Sequence, residues 1–466
     1  MGLQAMLALG TAVIGLSPAA GVLNFLYTPL IVAFAAWLLF FRPLGYIGFV
    51  VWVWMLTPLV RRLADYASGY HVVSIVMIAP LAATLLSVMA LLRQRRTLPV
   101  SIMLPHAVIL IVLIYGFFVG APTAGLVAAS FAFLNWASPV LFALYLLCTP
   151  GSAADKADAL SGAFIWGLAA IGLYGIYQFF YLPPWDEYWM RLSELRSIGA
   201  PAPMMVRVFS TMNGPAVLAF FAGAGLITAM ASRGAITKFP IIAGAVTFLL
   251  SLVRSAWGGI VLGIIVLVSR SDAKRKAAYI IGIVVLSIAT LPIIATGEIG
   301  RTIAQRSSSL GNLSRDDSLS ARLDIYSSFS SSPTSAVFGL GLGNTGDTAS
   351  RLGNTSGDAA ANVIDSGLLE VISNFGVVSI FMFVSLGALL LAAWRSAGFD
   401  RAGAALAAVA VASASQFLLA NPFFGPAAIC FYPFAALAIL FGIEHGVFSV
   451  GQTAPQRDLR AMRQTR

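Results

Sequence analysis

Apolar runs of bilayer length recur along this chain, and "VVSIVMIAPLAATLLSVMALL" (72–92) is typical of them. A helix of about 20 residues crosses a hydrocarbon core about 30 Å thick. In lipid every backbone N–H and C=O must be satisfied within a helix or a closed barrel. A barrel needs short segments of alternating polarity, whereas these runs are apolar on every face. The 466 residues are 59% hydrophobic and only 10% charged. The expected fold class is therefore an all-α polytopic membrane protein.

Lys and Arg near helix ends are retained in the cytoplasm, which orients the spans. Placing Arg93, Arg95, Arg96, Lys238, "RSDAKRK" (270–276), Arg395, Arg401 and the tail "RDLRAMRQTR" inside predicts spans at 3–17, 22–40, 44–60, 70–92, 103–120, 123–148, 158–183, 214–232, 239–253, 255–270, 277–296, 366–393, 402–420 and 423–443. That makes about 14 transmembrane helices in one integral membrane domain (1–466), with both termini cytoplasmic. The first run lacks the positive n-region of a signal peptide, so it is expected to stay as a helix. Two outer segments follow, 184–213 and the large loop 297–365, and residues 444–466 form a basic cytoplasmic tail.

Within "FPIIAGAVTFLLSLVRSAWGGIVLGIIVLVSR" (239–270), Arg254 stands near the centre of an apolar stretch. Lys238 and Lys274 fall on the same side, so this stretch must turn back on itself. Each arm of about 15 residues spans only about 22 Å, and Arg254 is expected at a turn recessed below the outer surface. A charge there needs protein, water or a ligand to face.

All four lysines (Lys156, Lys238, Lys274, Lys276) fall inside, while the outer side carries only arginines, among them Arg61, Arg62, Arg191, Arg207, Arg254, Arg322 and Arg351. Arginine's planar fork binds phosphate oxygens in a bidentate way and stays charged. The alternative is pairing with outer acids such as Asp65, Asp186 and Glu187. Arg61 and Arg62, after the third span, would then either hold a second phosphate-bearing chain or pair with Asp65.

In the first outer segment Trp185, Tyr188, Trp189 and Leu192 form one apolar face, which fits either a membrane-boundary belt or a stacking platform for sugar rings. In the second, "DDSLSARLDIYSSFSSSP" (316–333) predicts a short surface helix presenting Arg322, with Tyr326 on its apolar face. "GLGNTG" (341–346) has the spacing of a dinucleotide loop but lacks a preceding strand and a following helix, so it reads as a turn. Asp365 opens the next apolar helix, either as a dipole-favoured cap or as a chemical group, and Glu370 follows in its first turns. The two cysteines and three histidines are scattered, without metal-ligand spacing. No bound metal is expected.

"RVFSTMNGPAVLA" (207–219), "SLVRSAW" (251–257), "SARLDIYSSFSSSPTSAVFGLGLG" (320–343) and "DSGLLEVISNFGVVS" (365–379) follow one another in this order. With the helix count and the single large late loop, this order resembles the O-antigen ligase and O-antigen or exopolysaccharide polymerase superfamily (Wzy/WaaL-like) of bacterial inner-membrane glycosyltransferases. The resemblance covers roughly residues 205–380. It implies a GT-C-like helical fold and transfer of a glycan from a polyprenyl diphosphate carrier to an acceptor sugar. The transfer takes place at the periplasmic face and uses neither metal, cofactor nor nucleotide sugar. On the matching positions, Arg207, Arg254 and Arg322 would bind the diphosphate and stabilise it as it leaves, and Asp365 would be the general base. Arg61, Arg62, Asn213, Tyr326 and Glu370 are the expected substrate-binding residues.

Ligases of this superfamily carry a His-Asn-like pair eleven residues before the helix glycine. Counting back from Gly376 gives Asp365 and Ser366, which favours a polymerase over a ligase that uses lipid A core. The partners so implied are lipid-linked oligosaccharide donor and acceptor, membrane lipids, a chain-length regulator and a flippase, with no nucleic acid. A transporter is the rival class, but carriers place ionisable groups near the midplane and show internal repeats. Here the arginines gather on one face.

Overall fold

The computed structural model describes residues 20–93, 96, 98–193, 198–232, 238–281, 284, 337–352, 366–398 and 401–448. The expected span 3–17, most of 277–296, most of the loop 297–365 and nearly all of the tail 444–466 lie outside the described residues. Arg322, Tyr326 and Asp365 lie there too.

The described chain is a helical bundle without a named strand. Its long helices are α1 (Leu23–Phe41), α2 (Pro43–Ser68), α5 (Val100–Ala124), α6 (Leu126–Cys148) and α7 (Ala153–Tyr181). Between α2 and α5, Ile75–Arg93 forms one apolar segment containing the short helices α3 (Ala79–Leu85) and α4 (Ser87–Arg93). After α7 come the short polar helix α8 (Pro184–Leu192) and then α9 (Pro215–Ala231), α10 (Lys238–Leu250) and α11 (Arg254–Ser269). The C-terminal half holds α12 (Gly346–Leu352), α13 (Gly367–Phe375), α14 (Ser379–Ser396), α15 (Arg401–Ala414), α16 (Gly425–Ala428) and α17 (Tyr432–Glu444).

Eight of the described helical segments are long and apolar enough to cross a membrane, and four shorter apolar helices (α9, α10, α11, α15) pack among them. The protein is thus an all-α polytopic membrane protein. Tight corners separate the spans: Pro43 starts α2 directly after α1, and Gly125, at φ +89°, joins α5 to α6 in a region closed to most side chains. Small residues let the helices approach closely, as where Gly172 of α7 meets the backbone of Ala243 and Gly244 on α10, a form of packing that serves where no hydrophobic force drives helices together in lipid.

The basic residues segregate as their sequence positions require. At one end Arg96 pairs with Glu444 at 3.7 Å, Arg401 donates to the Ser232 carbonyl at 3.0 Å, and Arg270 stacks on Trp394 at 4.3 Å. Lys156 lies there too, its Nζ donating to the Leu146 and Thr149 carbonyls at 2.8 and 2.7 Å. The carbonyls are those of the last turn of α6, which leaves acceptors unpaired in every helix. The other end carries Arg61, Arg62, Arg191, Arg207, Arg254 and Arg351.

Several boundaries depart from expectation: α7 starts at Ala153 rather than 158, α15 stops at Ala414 rather than 420, and α2 differs most. α2 does not stop near residue 60 but continues to Ser68, so Arg61 and Arg62 lie inside its last turns with 2% and 0% exposure. Buried partners offset their charge, and the charges that look like a helix end in sequence are part of the packing.

Candidate functional site

The site is built around a segment that is neither helix nor surface loop. Residues 207–213 run from the turn at 199–206 back into the bundle before α9 begins at Pro215, and Phe209, Ser210, Thr211 and Met212 are buried. A buried irregular segment must have its peptide groups satisfied, and here side chains do much of it. Gln178 on α7 accepts from both the Phe209 and Ser210 amides through Oε1, at 3.0 and 2.8 Å. Ser210 Oγ donates to the Ile171 carbonyl at 2.6 Å and Thr211 Oγ1 to the Met55 carbonyl at 2.7 Å.

Arg62 closes this arrangement from α2. Its guanidinium donates to the Ser210 carbonyl at 2.5 Å and pairs with Asp186 of α8 at 3.0 Å, both side chains being fully buried. Asp186 also accepts from Gln178 Nε2 at 2.6 Å and from the Tyr174 hydroxyl at 3.0 Å. Burial pushes the Asp186 carboxyl above its ordinary range, against the pull of Arg62, Gln178 and Tyr174. Trp189 stacks inward, 5.6 Å from Phe209 and 5.9 Å from the Arg62 guanidinium. The belt expected of Trp185, Tyr188 and Trp189 therefore does not hold for Trp189, which is only 1% exposed.

The held segment delivers Arg207 to the break between α10 and α11. The Val208 amide donates to the Leu250 carbonyl at 3.1 Å, and an Arg207 guanidinium nitrogen reaches the Leu252 carbonyl at 3.4 Å. Leu252 has φ +55°, costly for a side chain branched at Cγ, and this corner places Arg254 at the first position of α11. With 13 and 16 residues, α10 and α11 span about 20 and 24 Å, short of a 30 Å core. Thr247 bonds Gly172 of α7 at 2.7 Å, so the corner lies beside the last turns of α7 rather than beyond them. Arg207 and Arg254 are both part-buried, and the Arg207 guanidinium reaches the corner two residues before Arg254.

Arg61 is engaged locally, its Nε with Asp65 at 3.2 Å and its NH2 with the His71 carbonyl at 2.7 Å. Arg351 on α12 lies within electrostatic reach of it. Asn213 sits just before α9, its Nδ2 against Met77 sulfur at 4.0 Å, while its buried Oδ1 finds no hydrogen-bond partner among the described residues. Glu370 on α13 accepts from Asn421 Nδ2 at 2.7 Å. The stretch that carries Asn421 links it to Arg254's helix, because Phe417 accepts from the Leu368 amide at 3.2 Å and Gln416 packs on Gly259 of α11.

No protein-family model matches this chain, and a search of curated proteins finds no significant relative. The functional reading therefore rests on the site and on the order of the sequence motifs. Among the described residues, no three His, Cys, Asp or Glu side chains gather as metal ligands. The expected alternative, arginines paired with Asp65 and Asp186, holds for Arg61 and Arg62, while sequence reasoning missed Gln178 and Tyr174 as the rest of the frame. A Gln in an apolar span and an acid following "LPP" are the signals that mark this frame.

Proposed function

We propose that this protein is a glycosyltransferase that polymerises polyprenyl-diphosphate-linked oligosaccharide repeat units at the periplasmic face of a bacterial inner membrane. The observation that carries the proposal is the reach of the Arg207 guanidinium to the Leu252 carbonyl, at the helix break two residues before Arg254 and beside a left-handed Leu252. Two guanidinium groups at one end of the helical bundle would suit a lipid diphosphate, each binding it through a planar fork. When the anomeric carbon–oxygen bond breaks, negative charge grows on the departing diphosphate. A preorganised donor aimed at such charge is worth about 2.7 to 4 kcal/mol.

Arg322 would complete the cationic set, with Asn213 and Tyr326 contacting substrate, and a carboxylate of the 365–370 turn would take the acceptor proton. Arg62 stands apart, as a strut that sets the 207–213 segment. The resemblance in motif order supports a polymerase, since Asp365 and Ser366 stand where ligases carry a His-Asn-like pair.

The test is reconstitution of the purified protein with its host's lipid-linked repeat units, in chelator and without nucleotide sugar. A ladder of glycan lengths on a gel, lost in Arg254→Ala, is the expected result. A single addition to lipid A core would instead identify a ligase. Movement of unmodified lipid across the vesicle, with no new bond, would identify a transporter.

A further inference from the structure

Resting on that proposed transfer, we infer that Tyr66 of α2 and Tyr188 of α8 form a carbohydrate-binding platform, which holds a sugar ring of the lipid-linked glycan. Their rings stand 5.7 Å apart at an interplanar angle of 80°, an edge-to-face pair. Two rings at a right angle make a corner, and Tyr66 is half exposed. A sugar ring presents an apolar C–H face with hydroxyls at its rim. A site for one therefore needs an open aromatic face and a few polar groups around it.

Those polar groups are present. Glu187 and Arg191 lie before and after Tyr188 on α8, and the Arg191 Nε and Nη2 both donate to Glu187 Oε1, at 3.1 and 2.7 Å. Both side chains are exposed, and among the described residues Glu187 Oε2 accepts no hydrogen bond. One residue before Tyr66, the buried Asp65 holds the half-exposed His71 through Nδ1 at 3.2 Å. That bond fixes the imidazole and leaves Nε2 as its open nitrogen.

The platform shares its frame with the arginine corner. Tyr66 lies in the last turns of α2. Asp186 fastens α8 to Arg62 at 3.0 Å, and the buried Trp189 packs on Phe209. The same Arg62 donates to the Ser210 carbonyl, three residues beyond Arg207. The diphosphate stands at one end of the glycan, so a ring held apart from the arginines is one further along the chain.

Other exposed tyrosines show what a membrane belt looks like in this protein. Tyr177 and Tyr181 of α7 lie 5.6 Å apart and share their helix face with the exposed Leu173 and Phe180. An apolar stripe ending in tyrosines suits lipid headgroups. Tyr66 and Tyr188 come from two elements and stand among charges, with Leu192 as an exposed apolar neighbour on α8.

The experiment uses the purified full chain and, as probe, the host's repeat-unit oligosaccharide released from its lipid, titrated by saturation-transfer NMR. Tyr66→Ala and Tyr188→Ala should each weaken binding by about 3- to 10-fold, the scale of one aromatic contact. Tyr188→Phe, which keeps the ring, should bind like wild type. In proteoliposomes with lipid-linked units, the alanine variants should raise KM with kcat little changed. No binding by wild type, or unchanged binding in both alanine variants, overturns the platform. So does poorer insertion with binding per inserted molecule intact, which is the behaviour of a belt anchor. Tyrosine-dependent binding by a wild type that forms no polymer keeps the platform and overturns the transfer reading instead.

Discussion

Arg62 of α2 and Asp186 of α8 form a fully buried ion pair, 3.0 Å between Nη1 and Oδ1. Around it a long helix, a surface helix and a buried extended segment are pinned together. Removing one partner of such a pair strands the other charge in a low-dielectric site, which costs about 3 to 5 kcal/mol.

Arg62→Met is thus expected to lower stability by about that amount near neutral pH. The pH dependence has a definite sign. Burial already raises the Asp186 carboxyl, and Arg62 is the largest of the influences that lower it, so the variant raises it further. A carboxyl with a raised folded pKa favours the fold below its ordinary range and loses that contribution as pH rises through the raised value. The variant should therefore melt closer to wild type in acid than at neutrality, as followed by Trp fluorescence.

Gln178→Leu is isosteric enough to fit but leaves the Phe209 and Ser210 amides without their acceptor. Each buried amide so stranded costs about 1 to 3 kcal/mol. The released segment carries Arg207, so turnover should fall more than the residual folded fraction explains. Activity per folded molecule, measured after size-exclusion selection, decides the point.

Much of this was legible in the sequence because lipid permits few solutions. Apolar runs had to be helices, and a stretch that turns back on itself had to bring Arg254 to the corner between two short arms. The frame around the corner was not legible. Arg62, Gln178 and Asp186 come from three separate elements, and no periodicity links them. Trp189 misled for a related reason: an amphipathic stripe shows which face is apolar, not whether lipid or protein covers it. α2 ran past its expected end because a charged pair inside an apolar helix looks like a terminus until its buried partners are known.

Gly341, at φ +77°, lies so close to α5 that a Cβ on it would meet the Gly120 backbone, and a Cβ on Gly120 would meet the backbone of Leu342. The Leu342 amide donates to the Gly116 carbonyl at 2.8 Å alongside. This contact accounts for Gly341 of "GLGNTG", and Gly343 packs closely on the backbone of Ala128 and Ala129 in α6. Gly120→Ala should cost about 1 to 3 kcal/mol by overpacking. The melting temperature of the purified variant checks it.

Arg254→Lys keeps the charge and loses the fork. If the arginine clamps a diphosphate, the lysine variant should impair turnover nearly as much as Arg254→Ala, while both insert normally. A point charge in the same recess would still attract the substrate, so the loss should fall mainly on kcat. Wild-type turnover in the lysine variant would remove the bidentate role and leave Arg254 as a general electrostatic attractor. The orientation of the site is checked in the same preparation. Both native cysteines are buried, so cysteines placed at Glu187 and Asp272, 42% and 57% exposed in their side chains, report the two ends of the bundle. A membrane-impermeant maleimide added to intact cells should label Glu187→Cys and spare Asp272→Cys. The opposite pattern would put the arginine cluster in the cytoplasm, away from lipid-linked glycan.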